Sequence, residues 1–112
     1  MTTISWSDFE KVEMRVGTII SARIFMEAKK PAYILHIDFG EAIGIRKSSA
    51  QITSLYNVDE LPGRQVIAVV NFPPKQIGPL QSECLVLGAV SENNEVILLQ
   101  PERLIPNGLR IG

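Results

Sequence analysis

Several residue types that provide chemistry or covalent stability are scarce in this sequence. It has one cysteine and one histidine among 112 residues, and aromatic residues make up only 6% of the chain. A single cysteine excludes an intramolecular disulfide, and histidine, cysteine and carboxylate groups do not occur at the short spacings of a metal site. The sequence also lacks a nucleophile motif such as G-x-S-x-G. We therefore expect no enzyme, no catalytic residue, no metal and no cofactor.

An excess of one charge and long hydrophobic runs are missing as well. The formal net charge is −1, so the chain as a whole does not attract nucleic acid or an acidic membrane. No apolar run approaches the ~20 residues that span a bilayer, and residues 1–6 lack the features of a signal peptide. Cys84 lies in an apolar run, which predicts a buried thiol in a reducing compartment. We expect a cytoplasmic protein that does not insert into membranes.

What the sequence does have is a high apolar content for its length. Hydrophobic residues make up 46% of the chain, which fits one domain over residues 1–112. A domain of this size buries under ~70% of the surface that its unfolded chain exposes, so a second copy is expected to cover part of the rest. Trp6 and Phe9 lie three residues apart on a short predicted helix. Their shared face covers either the domain's own core or the dimer interface of a homodimer.

The remainder of the chain has the pattern of a strand-rich domain. Met14 to Met26 alternates with period two and contains Gly17, which predicts a long strand with a bulge or sharp coil, as in a strand that belongs to both sides of a small barrel. Ser48 to Leu61 is less regular and has weak helical spacing, and Phe72 to Lys75 is expected to be a loop. Further strands are predicted at residues 32–40, 43–47, 65–71, 84–90 and 95–99. We predict an all-β OB-fold, a five-stranded Greek-key barrel with a short N-terminal helix and a small helical insert.

Two groups of residues deserve consideration as chemical sites. His36 and Asp38 share a strand face, but a triad would also need a positioned nucleophile, so a structural role for His36 is favoured. Arg46 and Lys47 follow a glycine-rich turn whose spacing does not fit a P-loop. We interpret these two side chains as candidate phosphate contacts.

The proline-rich stretch Asn71 to Lys75, together with Gln81 to Glu83, combines an amide, a cation and a hydroxyl between two apolar strands. Such a stiff loop is typical of a recognition site, although an ordinary connection between strands has the same composition. The residues alone leave both interpretations open.

Several segments, taken in their order along the chain, resemble a known family. The stretch Asp8 to Gly17 (DFEKVEMRVG) is similar to the opening of the tRNA-binding OB domain of bacterial methionyl-tRNA synthetases and of free-standing tRNA-binding proteins. Later segments continue the resemblance in order, at residues 38–40, 62–66 and 71–75. The details at residues 45–53, 69–74, 82–83 and 106–108 resemble the CsaA subgroup of export-related chaperones.

The resemblance implies an OB-fold homodimer whose helical and C-terminal additions form the interface. It also implies binding to unfolded precursor proteins and to the export ATPase SecA, with tRNA as a further ligand. Positions that match the family and that we carry over as candidate RNA contacts are Lys30, Ser48, Asn71, Lys75 and Ser82, beside Arg46 and Lys47.

The sequence therefore supports two functional hypotheses. The leading hypothesis is an ATP-independent chaperone that holds unfolded segments, and the alternative is a structure-specific tRNA-binding protein acting in trans. The tRNA-binding relatives have Ser-x-Gly-Met where this chain has Ser82-Glu83-Cys84, and the Glu83 carboxylate would repel a phosphate bound there. Because this departure disfavours RNA binding, the chaperone is the leading hypothesis.

Overall fold

The computed structural model describes residues 1–112 and consists mainly of short strands. Besides the strands it contains one α-helix, α1 (Trp6–Glu10), and one 3-10 helix at Val58–Glu60. The strands are β1 (Met14–Ile24), β2 (Tyr33–Asp38), β3 (Ile45–Ala50), β4 (Gln65–Val69), β5 (Lys75–Ile77), β6 (Leu80–Ser82), β7 (Leu85–Val86), β8 (Gly88–Val90) and β9 (Val96–Leu98).

Five of the strands form one antiparallel sheet in the order β3-β2-β1-β4-β7, and this sheet curls into a nearly closed barrel. Two hairpins, β5–β6 and β8–β9, are added to it. The predicted all-β class and OB-like architecture are confirmed. No helix of the structure is both long enough and apolar enough to cross a bilayer.

The long first strand belongs to both sides of the barrel, as predicted. Met14 to Thr18 pairs with β4, whereas Thr18 to Ile24 pairs with β2. The register shifts between Ile19 and Ser21, so the bulge lies at Ile20, three residues beyond Gly17. The bulge interrupts the alternation of the strand, which leaves Ile19 fully buried and Ile20 47% exposed.

Gly17 allows the side chains of the core to pack closely against the first strand. A Cβ atom at this position would lie 2.6 Å from Cγ2 of Ile37 and 2.7 Å from Cδ1 of Phe39, both of which are core side chains. The first strand can bend around the core here because the position carries no side chain.

The structure differs from the prediction between β3 and β4. The third strand continues to Ala50, and the weak helical spacing that follows yields only the 3-10 turn at Val58–Glu60. Tyr56 explains part of the apolar spacing, because its side chain packs against the core; its carbonyl also accepts a 2.8 Å hydrogen bond from the Tyr33 hydroxyl. Leu61 is fully buried in the core. These side chains are held by packing against the barrel and need no regular helix.

The proline-rich loop is also shorter than expected. Pro73 and Pro74 interrupt the ladder, but pairing resumes at Lys75, which lies opposite Ser82 in the β5–β6 hairpin. Leu80 of this hairpin packs with Phe25, Ala32 and Ile34 in a small second core. The hairpin therefore covers part of the outer surface of the main sheet.

The C-terminal segment is bound to its own domain along β1. The Val16 amide donates to the Leu109 carbonyl at 3.0 Å, and the Gly108 amide donates to the Val16 carbonyl at 2.7 Å. The Ile111 amide donates to the Met14 carbonyl at 2.9 Å, so the tail extends the pairing of β1 where β2 has ended. Its outer side still exposes Leu104 and Leu109.

The close packing at Gly17 gives a stability prediction. Gly17→Ala should lower the free energy of unfolding by about 1–3 kcal/mol, because its methyl group would force Ile37 or Phe39 to move. Gly112→Ala is the matched control, since no atom lies within 4 Å of a Cβ there. Urea denaturation of both variants checks this, and equal midpoints would show that the core yields freely at Gly17.

Candidate functional site

The barrel is not closed by a strand ladder. β3 meets the segment Ser82 to Cys84 at a junction that we call the seam, formed by residues 47–49 and 82–84. Only one main-chain bond crosses it, from the Glu83 amide to the Lys47 carbonyl at 2.8 Å. Side chains provide the other bonds, so closure at the seam depends on specific residues.

Three side chains hold the seam. The Lys47 amide donates to Oε1 of Glu83 at 3.1 Å, and the Ser49 amide donates to Oγ of Ser82 at 3.1 Å. The Ser48 hydroxyl donates to the carbonyl of Cys84 at 2.9 Å and is buried. Oxygen atoms of Ser82 and Glu83 thus replace the carbonyl groups that a neighbouring strand would supply.

Beyond the seam the two chain segments separate and leave an open groove of about 650 Å³. We call it the seam groove. Its walls come from the end of β3, the start of β5, the strands β7 and β8, and Val96 of β9. The lining residues are Ser49, Ala50, Gln51, Ile52, Phe72, Pro73, Lys75, Ile77, Ser82, Cys84, Leu85, Val86, Leu87, Gly88, Val90 and Val96.

The seam groove is apolar and accessible. Phe72, Leu85 and Val90 expose about half or more of their side chains at its rim. Lys75 is its one charged lining residue and forms no salt bridge with any carboxylate of the chain. Exposed apolar walls of this kind are typical of binding sites, because water is displaced favourably when they are covered.

Cys84 lies at the base of the seam groove and is buried, as predicted. Burial raises the pKa of its thiol to about 11, since the apolar surroundings disfavour the thiolate. The Ser48 hydroxyl and the Arg46 guanidinium offset this only in part. The thiol is therefore protonated near neutral pH and contributes to the site as an apolar surface.

The seven predicted RNA contacts occupy several different settings. Lys75 and Ser82 are cross-strand partners in the hairpin, and Lys47 and Ser48 lie across the seam from residues 82–84. Arg46 donates to the Val70 carbonyl at 2.7 Å at the end of β4. These five residues follow the line where the barrel closes.

The remaining two lie elsewhere. The Asn71 side chain accepts from the Glu13 amide at 3.0 Å and donates to the Lys11 carbonyl at 2.7 Å, which ties the segment after α1 to the end of β4. Lys30 is exposed in the connection between β1 and β2. Ser48, Ser82 and Asn71 thus use their polar atoms within the fold, whereas Lys30 and Lys75 present theirs to solvent.

Cations without a carboxylate partner are concentrated in one part of the sequence. Of the eleven lysine and arginine residues, four arginines form the salt bridges of the structure. Six of the other seven fall between residues 23 and 75, and the seventh is Lys11 near the N-terminus. The six are Arg23, Lys29, Lys30, Arg46, Lys47 and Lys75. A net charge of −1 hides this uneven distribution.

His36 and Asp38 have different neighbours in the structure. His36 lies between Ser21 of β1 and Lys47 of β3 in the sheet register. Asp38 accepts a 2.8 Å hydrogen bond from the Gly40 amide and so stabilises the turn that follows its own strand. Each residue is explained by its position in the barrel.

The N-terminal helix α1 begins with a capping box at Ser5. The Ser5 side chain accepts from the Asp8 amide, and the Asp8 carboxylate accepts from the Ser5 amide, each at 3.1 Å. Trp6 is 84% exposed and Phe9 is half-buried, so the domain's own core does not cover the tryptophan. Its large apolar surface is free to contact another molecule.

Sequence reasoning did not identify the walls of the seam groove. Phe72, Leu85, Val90 and Val96 come from four separate segments, and only the closure of the barrel brings them together. In the sequence they are ordinary apolar residues of strands and loops. The one available signal was the surplus of apolar residues over what a chain of 112 residues can bury.

Together, these features define a small OB-type binding module with an open apolar groove. The family described as "Putative tRNA binding domain" matches residues 14–110. The crystal structure of the chaperone CsaA from Bacillus anthracis str. Ames is 48% identical, covers 99% of this chain and 100% of its own, and has a TM-score of 0.94. The CsaA chaperone protein from Picrophilus torridus is 51% identical and has a TM-score of 0.91, with coverage of 98% and 100%.

A third relationship is to a synthetase. The methionine–tRNA ligase of Methanococcoides burtonii is 34% identical over 100 residues, which are 89% of this chain and 14% of the ligase. This chain thus spans about one-seventh of the curated relatives that it matches. It belongs to the tRNA-binding domain family and, within it, to the CsaA type. The family is a binding-domain type, and its ligase members owe their catalytic activity to other domains.

Proposed function

We propose that the protein is an ATP-independent chaperone that holds unfolded apolar segments in the seam groove. The observation that carries the proposal is the open groove of about 650 Å³ with Phe72, Leu85 and Val90 exposed on its rim. The high identity to proteins called chaperones supports it. Soluble proteins rarely leave a large apolar surface exposed unless it binds another molecule.

The size and openness of the groove favour weak, reversible binding. Complete burial of one aliphatic side chain is worth about 1.5–3 kcal/mol, and association itself costs at least about 4 kcal/mol. Three or four such side chains therefore leave at most about 8 kcal/mol, which corresponds to an affinity no tighter than about micromolar. A client held this weakly leaves by dissociation or by transfer to another protein, without nucleotide hydrolysis.

The clients and partners follow from the resemblance to export-related chaperones. Precursor proteins are exported in an unfolded state, so their apolar segments are accessible to the groove before translocation. We propose such precursors as clients and the export ATPase SecA as the protein that receives them. Both steps would take place in the cytoplasm.

The proposal includes a homodimer. Trp6 and Phe9 on α1 present apolar surface outside the core, and Leu104 and Leu109 do the same on the C-terminal segment. A bond from the Arg110 side chain to the Glu10 carbonyl, 2.8 Å long, holds the two segments beside each other. Exposed apolar side chains on these two segments of each copy suit a two-fold interface.

A second function, binding of tRNA in trans, is favoured by one specific observation. The cations that lack carboxylate partners lie mainly between residues 23 and 75. Lys30 and Lys75 are exposed and free to contact phosphates, whereas Glu83 uses its carboxylate to hold the seam.

The groove can be tested with a matched pair of leucines. Leu85→Ser should weaken binding of an unfolded client about fivefold, because roughly 1 kcal/mol of apolar contact is lost with the half-exposed side chain. Leu55→Ser is the control, since Leu55 is exposed to a similar extent but lies outside both the groove and the proposed dimer surface. Suppression of client aggregation and binding of a fluorescent client peptide measure the effect. Equal loss in the two variants would contradict the assignment of the groove.

The dimer is tested by sedimentation. At micromolar concentration the wild-type protein should have about twice the 12.4 kDa mass of the chain. Trp6→Asp should shift the equilibrium towards monomer, because a charge is costly in an apolar interface, whereas Trp6→Phe should leave it nearly unchanged. A wild-type protein that sediments as a monomer throughout would overturn the proposed assembly.

The alternative function predicts a dependence on salt. If tRNA binds, replacing Lys30 and Lys75 together with alanine removes two phosphate contacts, and the slope of log affinity against log salt should fall by about 1.4–1.8. Suppression of client aggregation should persist, since it depends on apolar contacts. Lys11→Ala, at a cation distant from these two in sequence, should not change the slope. No binding of tRNA at low salt would exclude this function.

A further inference from the structure

The seam groove has a feature beyond its apolar walls, namely main-chain groups on its edges that lack a partner. In an antiparallel strand, successive residues direct their amide and carbonyl groups to opposite sides. Lys47 bonds across the seam, so Lys47 and Ser49 face away from β2, whereas Ser48 and Ala50 face β2. The edge of β3 that borders the groove is therefore formed by the odd-numbered residues.

This edge continues past the last bond of the seam. The Ser49 amide is occupied by Ser82, and its carbonyl accepts only a long 3.4 Å contact from the Ser48 hydroxyl. At Gln51 neither the amide nor the carbonyl has a hydrogen-bond partner in the chain. One acceptor at Ser49, followed by a donor and an acceptor at Gln51, is the pattern that a neighbouring strand recognises.

The opposite edge of the groove is open as well. The Leu87 amide donates to the Ile67 carbonyl at 2.9 Å, which places the bonded side of β7 against β4 at alternate residues. Val86, between Leu85 and Leu87, therefore directs its amide and carbonyl away from β4. These two groups have no partner in the chain. Unpaired strand edges expose groups that readily pair with another chain.

We infer that the client segment in the seam groove is bound in extended conformation, as an added β-strand paired with the edge at Ser49 and Gln51. This inference rests on the proposed function and specifies the conformation of its ligand. Alternate side chains of the segment would enter the apolar groove, while the others would face solvent. Lys75, the unpaired cation at the rim, makes an acidic residue at one end of the segment complementary.

Main-chain pairing explains how one groove can hold many different sequences. Hydrogen bonds to the backbone are the same for every non-proline residue, so they add affinity without selecting side chains. The apolar walls then select only for alternation of apolar residues. Helical segments would be excluded, because their amide and carbonyl groups are already bonded within the helix.

The test uses the full chain and an acetylated seven-residue peptide that alternates valine with serine and ends in aspartate. Gln51→Pro removes the amide donor from the edge, and Gln51→Ala keeps it while shortening the exposed side chain. The peptide should bind Gln51→Pro about tenfold more weakly than Gln51→Ala, since its carbonyl would lose its partner. Circular dichroism of both variants shows whether they are folded.

A second measurement on the wild-type protein does not depend on any substitution. Hydrogen exchange followed residue by residue should show that the peptide slows exchange at the Gln51 amide. Binding without protection of this amide, and with equal affinities for the two variants, would overturn the inference but leave the chaperone proposal intact. Failure of the peptide and of an unfolded client to bind the wild-type protein would instead overturn the proposed function itself.

Discussion

Incomplete closure of the barrel is the constraint on which the rest of this structure depends. β3 and the segment before β7 approach closely enough for one main-chain bond, from Glu83 to Lys47, and three side chains complete the junction. Serine and glutamate side chains can span a gap that main-chain groups cannot, so the two edges are free to diverge immediately afterwards. The apolar groove and the junction are consequently one feature. A barrel closed by a regular ladder would have no groove at this place.

The same arrangement explains why several residues that the family resemblance implies as RNA contacts form hydrogen bonds within the fold. Ser48 and Ser82 bond to main-chain groups across the junction, and Asn71 fixes the segment after the N-terminal helix. Glu83 contributes a carboxylate that accepts from an amide. In a relative that binds tRNA, a carboxylate beside the phosphates would be unfavourable. In this chain the carboxylate contributes to the junction instead.

The sequence predicts the barrel well and the groove poorly, for identifiable physical reasons. Alternation of apolar residues identified the long first strand and its double pairing, because that pattern is local. It could not locate the bulge at Ile20, since the shift depends on pairing with β2. Phe72, Leu85 and Val96 line one groove only after the chain has folded around the core. Lys30 and Lys75 were named only because they match the family, and their role as RNA contacts stays a prediction.

The pairing of the C-terminal segment with β1 has a consequence for how the molecule forms. Arg15 and Gly108 are bonded although 93 positions separate them in the chain. The first strand therefore keeps one half of its edge unsatisfied until a distant segment arrives, and contacts of such long range are associated with slow folding. Until that segment pairs with it, the nascent protein exposes an unpaired strand edge, a kind of surface that pairs with other chains and aggregates.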